Sequence, residues 1–152
     1  MIFQSCYTFR GASLDPNLKT IQIQNFKTEA AGGPSNMTIS ITQKLREYFQ
    51  SNSSLKIAAK NPDIFVEGAI VGYEMTPQAP TSSDKPGVNR LTIRVNIKLV
   101  NNQKEDKNFD QEFSFYKDFP QDKTLSAVEP TIVPLILDQI VLDVFNKTAG
   151  EW

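Results

Sequence analysis

Histidine is missing from this sequence of 152 residues, and cysteine occurs once. Those shortages exclude a disulfide pair within the chain, a Cys/His zinc site, a Ser-His-Asp triad and a Cys-His dyad. No charge of one sign prevails either: 16 basic residues stand against 17 acidic ones, for a net charge of −1. The one-signed field of a nucleic-acid binder is therefore lacking, and any electrostatic function must be local. Nowhere does the chain reach the roughly 18 consecutive apolar residues expected of a membrane span. Gly32-Gly33 lacks the context of a phosphate-cradling loop. Carboxylate pairs such as Asp63 with Glu67, or Asp138 with Asp143, have nothing beside them that would tune an acid and a base, and read as surface charges. The expectation is a protein that is not an enzyme and uses no metal or cofactor.

What is present is the pattern of one α+β domain. A chain of this length buries roughly 68–70% of its unfolded surface, enough for a core. Leu18 to Phe26 alternates like a half-buried strand, and the cluster Ala30 to Asn36 stops it. Ile41, Leu45, Tyr48 and Phe49 then form the apolar stripe of a helix from about Asn36 to Gln50, with Ser35 as its N-cap. Leu55 to Ala58 suggests an edge strand, and Ile64 to Met75 a central one. On that central strand Phe65, Val71, Tyr73 and Met75 fall opposite Ile64, Val66 and Ile70. Residues 76–87 have the composition of a mobile loop. Arg90 to Val100 alternates without error and pairs with Phe109 to Phe119 as a hairpin. A long helix from about Val128 to Lys147 closes the chain, with Ser126 and Glu129 as a capping box and Pro130 and Pro134 making its first turn irregular or its start late. Its apolar residues cover more than one face, which predicts burial in the domain over the alternative of a face partly offered to a partner. The order β-α-β-β-β-α predicts a two-layer α+β sandwich, two helices on one face of a mainly antiparallel sheet of three to five strands.

Two features point outward. Arg90, Arg94 and Lys98 occupy one face of one strand at four-residue steps of about 13 Å, a spacing able to engage a polyanion. The competing reading is an ordinary solvated face, with Glu112 or Asp110 of the neighbouring strand neutralising it. The second feature is Cys6, in Ser5-Cys6-Tyr7-Thr8-Phe9-Arg10-Gly11. In bacterial lipoproteins a cysteine near the start becomes the acylated first residue, and each buried methylene of its chains is worth about 0.8 kcal/mol. Only Met1 to Ser5 precede Cys6, and Ser5 alone fits a lipoprotein cleavage box. A free cysteine can also be simply a small buried hydrophobe.

Cys6-Tyr7-Thr8-Phe9-Arg10-Gly11, the strand Lys19 to Ile23 and the helix ending Leu45-Arg46-Glu47-Tyr48-Phe49 come in the order found in one envelope family. Asp63 to Gly68, Tyr73, Arg90 to Ile93, Phe113-Ser114, Phe145-Asn146 and Trp152 extend the match over nearly the whole chain. The sequence resembles the LptE family of lipopolysaccharide-assembly lipoproteins, in its Bacteroidetes form. That resemblance implies a lipoprotein-type segment over residues 1–17, anchored through Cys6, and a domain over 18–152. It implies a place on the periplasmic side of the outer membrane, bound to the β-barrel LptD as a plug, assisting its assembly and the delivery of lipopolysaccharide. Arg90, Arg94 and Lys98 then become candidate contacts for lipopolysaccharide phosphates, an idea drawn from the alternation and not from a family motif. The alternative is a periplasmic lipid or small-ligand carrier, which would need an apolar cavity between helices and sheet.

Overall fold

The computed structural model describes residues 14–150. Its elements are β1 (Thr20–Ile23), β2 (Lys27–Thr28), α1 (Met37–Asn52), β3 (Lys56–Ile57), β4 (Ile64–Gln78), β5 (Val88–Asn101), a 3-10 turn at Glu105–Lys107, β6 (Phe109–Pro120) and α2 (Leu125–Gly150). Six strands form one sheet in the order β3-β1-β4-β5-β6, with β2 paired to β4 beyond the end of β1. β4, β5 and β6 are antiparallel, whereas β1 runs parallel to both β3 and β4, and β2 parallel to β4. The expected α+β class holds, but the sheet is larger than three to five strands and partly parallel. The cause is α1, which carries the chain back to the end of the sheet where β1 began. A strand that follows such a crossover enters parallel to its predecessor.

The predicted first strand breaks after Ile23. Gln24 N–H still donates to the Val66 carbonyl, but Phe26 then drops into the core, its N–H donating to Thr42 Oγ1 on α1 at 3.1 Å. Gly68 makes that possible: a Cβ there would lie 2.6 Å from the Phe26 ring. The edge strand expected within Leu55 to Ala58 is found at Lys56–Ile57, and β4 is central.

On β4 the register shifts between Ile70 and Gly72, so Val71 is the extra residue of a bulge. Ile70 lies opposite Val95, Gly72 opposite Arg94, and Tyr73 opposite the buried Ile93. Tyr73 is therefore on the same face as Ile64, Val66 and Ile70, not the opposite one. From there its hydroxyl donates to Glu129 on α2. Burial and that carboxylate both push the Tyr73 hydroxyl pKa up. β4 also runs through Thr76, Pro77 and Gln78, which pair with Arg90, Asn89 and Val88. The connection is thus 79–87, shorter than expected.

Both helices differ at their starts. Asn36, not Ser35, precedes α1, and its side chain makes no capping bond. Thr124 caps α2, its Oγ1 accepting from Ala127 N–H at 3.3 Å, in place of a Ser126/Glu129 box. α2 begins earlier than expected and takes both prolines into its interior. Its length and composition would allow it to cross a membrane. Even so, Ile132, Val133, Ile136, Leu137, Ile140, Val141, Val144 and Phe145 are buried. Phe145 meets Tyr48 and Phe49 of α1 edge to face, ring centres 5.1 Å apart in each case. One side of this helix is buried in the domain, while Leu135 on its outer side is exposed. Ile21, Ile41, Leu45, Phe49, Ile64, Ile93, Ile97 and Ile136 have no exposed surface, and together they fill the space between helices and sheet.

Candidate functional site

The face of the sheet turned away from the helices is the surface that the sequence singled out. β5 supplies Arg90, Arg94 and Lys98 to it, because Leu91, Ile93, Val95, Ile97 and Leu99 point into the core. Alternation fixes this division. The structure brings all three cations onto the open face and gives each a carboxylate. Arg90 grips Asp118 with Nε at 2.8 Å and Nη2 at 3.1 Å, and its guanidinium lies 3.9 Å from the centre of the Tyr116 ring. Arg94 holds Glu74 at 2.7 Å on one side and Glu112 at 3.4 Å on the other. Lys98 stands 4.0 Å from Glu67.

Gly72 provides the track for the Arg94 side chain. A Cβ at that position would sit 2.5 Å from Arg94 Nε, so a side chain there would push the guanidinium off β4. Hydrogen bonding to the guanidinium holds Glu74 below its ordinary pKa, and Arg90 does the same for Asp118. The same contacts raise the arginine pKa values. All of these groups stay charged at neutral pH.

Sequence reasoning named Glu112 and Asp110 as neutralising groups. Glu112 does reach Arg94, while Asp110 accepts from Asn96 Nδ2 at 2.8 Å. It missed Asp118, Glu74 and Glu67. Asp118 and Glu67 lie directly opposite Arg90 and Lys98 in the ladder, so a correct register would have found them. Glu74 needed the bulge at Val71 as well. Across β4, β5 and β6 the open face is thus a lattice of ion pairs.

Asp63, Asp138 and Asp143 have structural partners. Asp63 accepts from the backbone N–H groups of Lys19 at 2.7 Å and Thr20 at 3.1 Å, and from Gln103 Nε2 at 3.0 Å. Those donors, Lys19 foremost, hold its carboxyl below the usual range. Asp138 binds Lys44 at 2.6 Å and Asp143 accepts from Gln139 at 2.9 Å. Among the described residues no group of three or more acidic or thiol side chains is arranged to hold a metal ion. Cys6 and Trp152 lie outside the described residues.

A sheet with one face under two helices and the other bearing ion pairs is the geometry on which the comparisons bear. The family described as LptE, lipopolysaccharide-assembly, matches residues 18–148. The chain belongs to the LptE family. That membership gives it a role in lipopolysaccharide assembly. No curated protein sequence matches the chain. Solved structures share its fold at low identity. Lipoprotein B from Nitrosomonas europaea is 16% identical, with 99% of this chain and 92% of that one covered and a TM-score of 0.58. A minor lipoprotein from Acinetobacter baumannii is 13% identical, covering 88% and 94%, at 0.56. A protein of Xanthomonas campestris is 11% identical, covering 92% of each, at 0.53. These likenesses establish the LptE-type α+β fold and nothing finer.

Proposed function

We propose that this LptE-family protein is a non-enzymatic component of the lipopolysaccharide translocon, a plug for the outer-membrane β-barrel LptD that assists barrel assembly and lipopolysaccharide delivery. The observation that carries this reading is the division of the surface. Apolar side chains are spent between helices and sheet, and the broad face left over is a polar lattice. A folded plug in a barrel lumen needs that kind of exterior, because barrel interiors are polar. A lipid carrier would need its apolar volume empty, and here it is occupied by Ile21, Phe49, Ile93 and Ile136. In this reading residues 1–17 are a lipoprotein-type tether acylated at Cys6, like the lipoproteins of similar fold, and 18–152 form the plug on the periplasmic side.

Arg90, Arg94 and Lys98 remain the proposed contacts for lipopolysaccharide phosphates. To bind there, a phosphate has to displace Asp118, Glu74, Glu112 or Glu67 from its cation.

The test of the main proposal is affinity purification of the full-length chain from detergent-solubilised outer membranes of its native cells. Co-recovery of a large β-barrel protein in near-equal amount is expected. A soluble monomer recovered without a barrel would contradict the reading.

A further inference from the structure

β6 is the edge of the sheet next to β5, and among the described residues no strand pairs with its outer side. It is 12 residues long, whereas the strand on the opposite edge, β3, has two. The lower part of that opposite edge, at β1, is covered by β3, and above it Arg46 Nη2 donates to the Ile23 carbonyl at 2.7 Å. The opposite edge is therefore broken into the short strands β3 and β2, while β6 is long and continuous.

An open edge presents a row of backbone donors and acceptors, and proteins usually blunt it with proline, a bulge or an inward-pointing lysine. On β6 the proline, Pro120, stands at the end, and two lysines lie on the helix side: Lys117, its Nζ 5.9 Å from the centre of the Phe115 ring, and Lys147 of α2, 6.0 Å from that of Phe109. From Phe109 to Tyr116 there is no proline, glycine or lysine, and the pairing with β5 runs without a register shift. Alternate N–H and C=O groups over this length point away from β5, as an antiparallel ladder requires.

We infer that the Phe109–Tyr116 edge of β6 is a docking site for an extended strand of a partner protein, one that alternates apolar residues with Lys or Arg. Side chains on the two faces of β6 set that chemistry. On the helix side the row is Phe109, Gln111, Phe113 and Phe115, of which Phe109 and Phe115 are only half-buried, so a largely apolar row on the incoming strand extends the core. On the open face the row is Asp110, Glu112, Ser114, Tyr116 and Asp118, which carries acids and no cation. Opposite charges across a strand pair stabilise it and like charges oppose it. A second copy of β6 would bring only more acids to that row, which argues against self-pairing. A strand bearing Lys or Arg there matches it, and backbone hydrogen bonds supply the remaining affinity. The inference does not depend on which protein contributes the strand.

The test adds a synthetic peptide alternating Val and Lys, long enough to cover Phe109–Tyr116, to the intact chain, with a Val/Glu peptide as control. Amide hydrogen exchange is read along the whole sequence. Alternate amides between Phe109 and Tyr116 should slow at least tenfold with the Lys peptide, those of β4 should not change, and the Glu peptide should have no effect. The Asp110→Asn variant, which removes the charge of a carboxylate that hydrogen-bonds the side chain of Asn96, should weaken the Lys peptide several-fold while its circular dichroism stays that of the parent. Absence of protection, equal protection by both peptides, or protection mapped to the helices would overturn the inference. Concentration-dependent dimerisation through β6 without peptide would overturn it as well.

Discussion

Single residues on β4 decide what lies on each face of the sheet. Gly68 admits the Phe26 ring on the helix side, and Gly72 admits the Arg94 guanidinium on the open side. Their roles were hidden in the sequence, where both are simply glycines in an apolar strand. Legible from alternation alone was the exposure of Arg90, Arg94 and Lys98, since five core residues interleave with them. Their partners were not, because salt bridges depend on register with both neighbouring strands. The combined change Arg90→Gln, Arg94→Gln and Lys98→Gln avoids placing new acids beside Asp118, Glu74 and Glu112. It should weaken lipopolysaccharide binding at least several-fold with the fold intact, and unchanged binding in a direct titration would remove these residues from the site. Asp63 bears on stability instead. Its folded pKa is depressed below the ordinary 3.8 by the Lys19 and Thr20 N–H groups and Gln103. Its contribution is thus full above that value and is lost as pH falls through the folded pKa. Asp63→Asn should lower stability at neutral pH by about 1–2 kcal/mol, from weakened charge-assisted hydrogen bonds. Urea denaturation at pH 7 and pH 3 should show the gap between parent and variant shrinking in acid.

Whole elements were read with unequal success, for physical reasons. β5 and α1 carry a clean period of two and a clean apolar stripe, and both lie close to where those patterns put them. β4 carries a period of two that changes phase at Val71, so continuous alternation assigns Tyr73 to the wrong face. β2 and β3 have two residues each, too few to show any period. At α2, proline penalties favoured a late start, yet burial of its apolar face outweighs them. Pro130 and Pro134 each remove a backbone donor from the interior of the helix, leaving the Ser126 and Pro130 carbonyls without their i+4 partners. Pro134→Ala should therefore stabilise the protein by up to about 3 kcal/mol, the difference in helix propensity. The gain appears as a higher urea midpoint. A lower midpoint would mean that the ring of Pro134, at the cleft it lines with Met37, is worth more than the lost bond.

Across the whole molecule, the two-layer architecture follows from one sheet with a single apolar face and two helices with stripes to hide. The sequence period conveyed the layers and the helix count. It did not convey the parallel strands, because handedness and direction of a crossover are properties of chain connection rather than of any local pattern. Family membership and the polar lattice on the open face lead to the same expectation, a folded body whose exterior suits a barrel lumen. Photo-crosslinking in native cells tests this most directly, with the crosslinking residue placed at Thr92 or Ser114 on the open face, and at Leu135 on the outer side of α2. The account predicts adducts to one large β-barrel protein from the open-face positions, in the outer-membrane fraction. Adducts to no barrel from any of the three positions, with the protein folded and abundant, would contradict it.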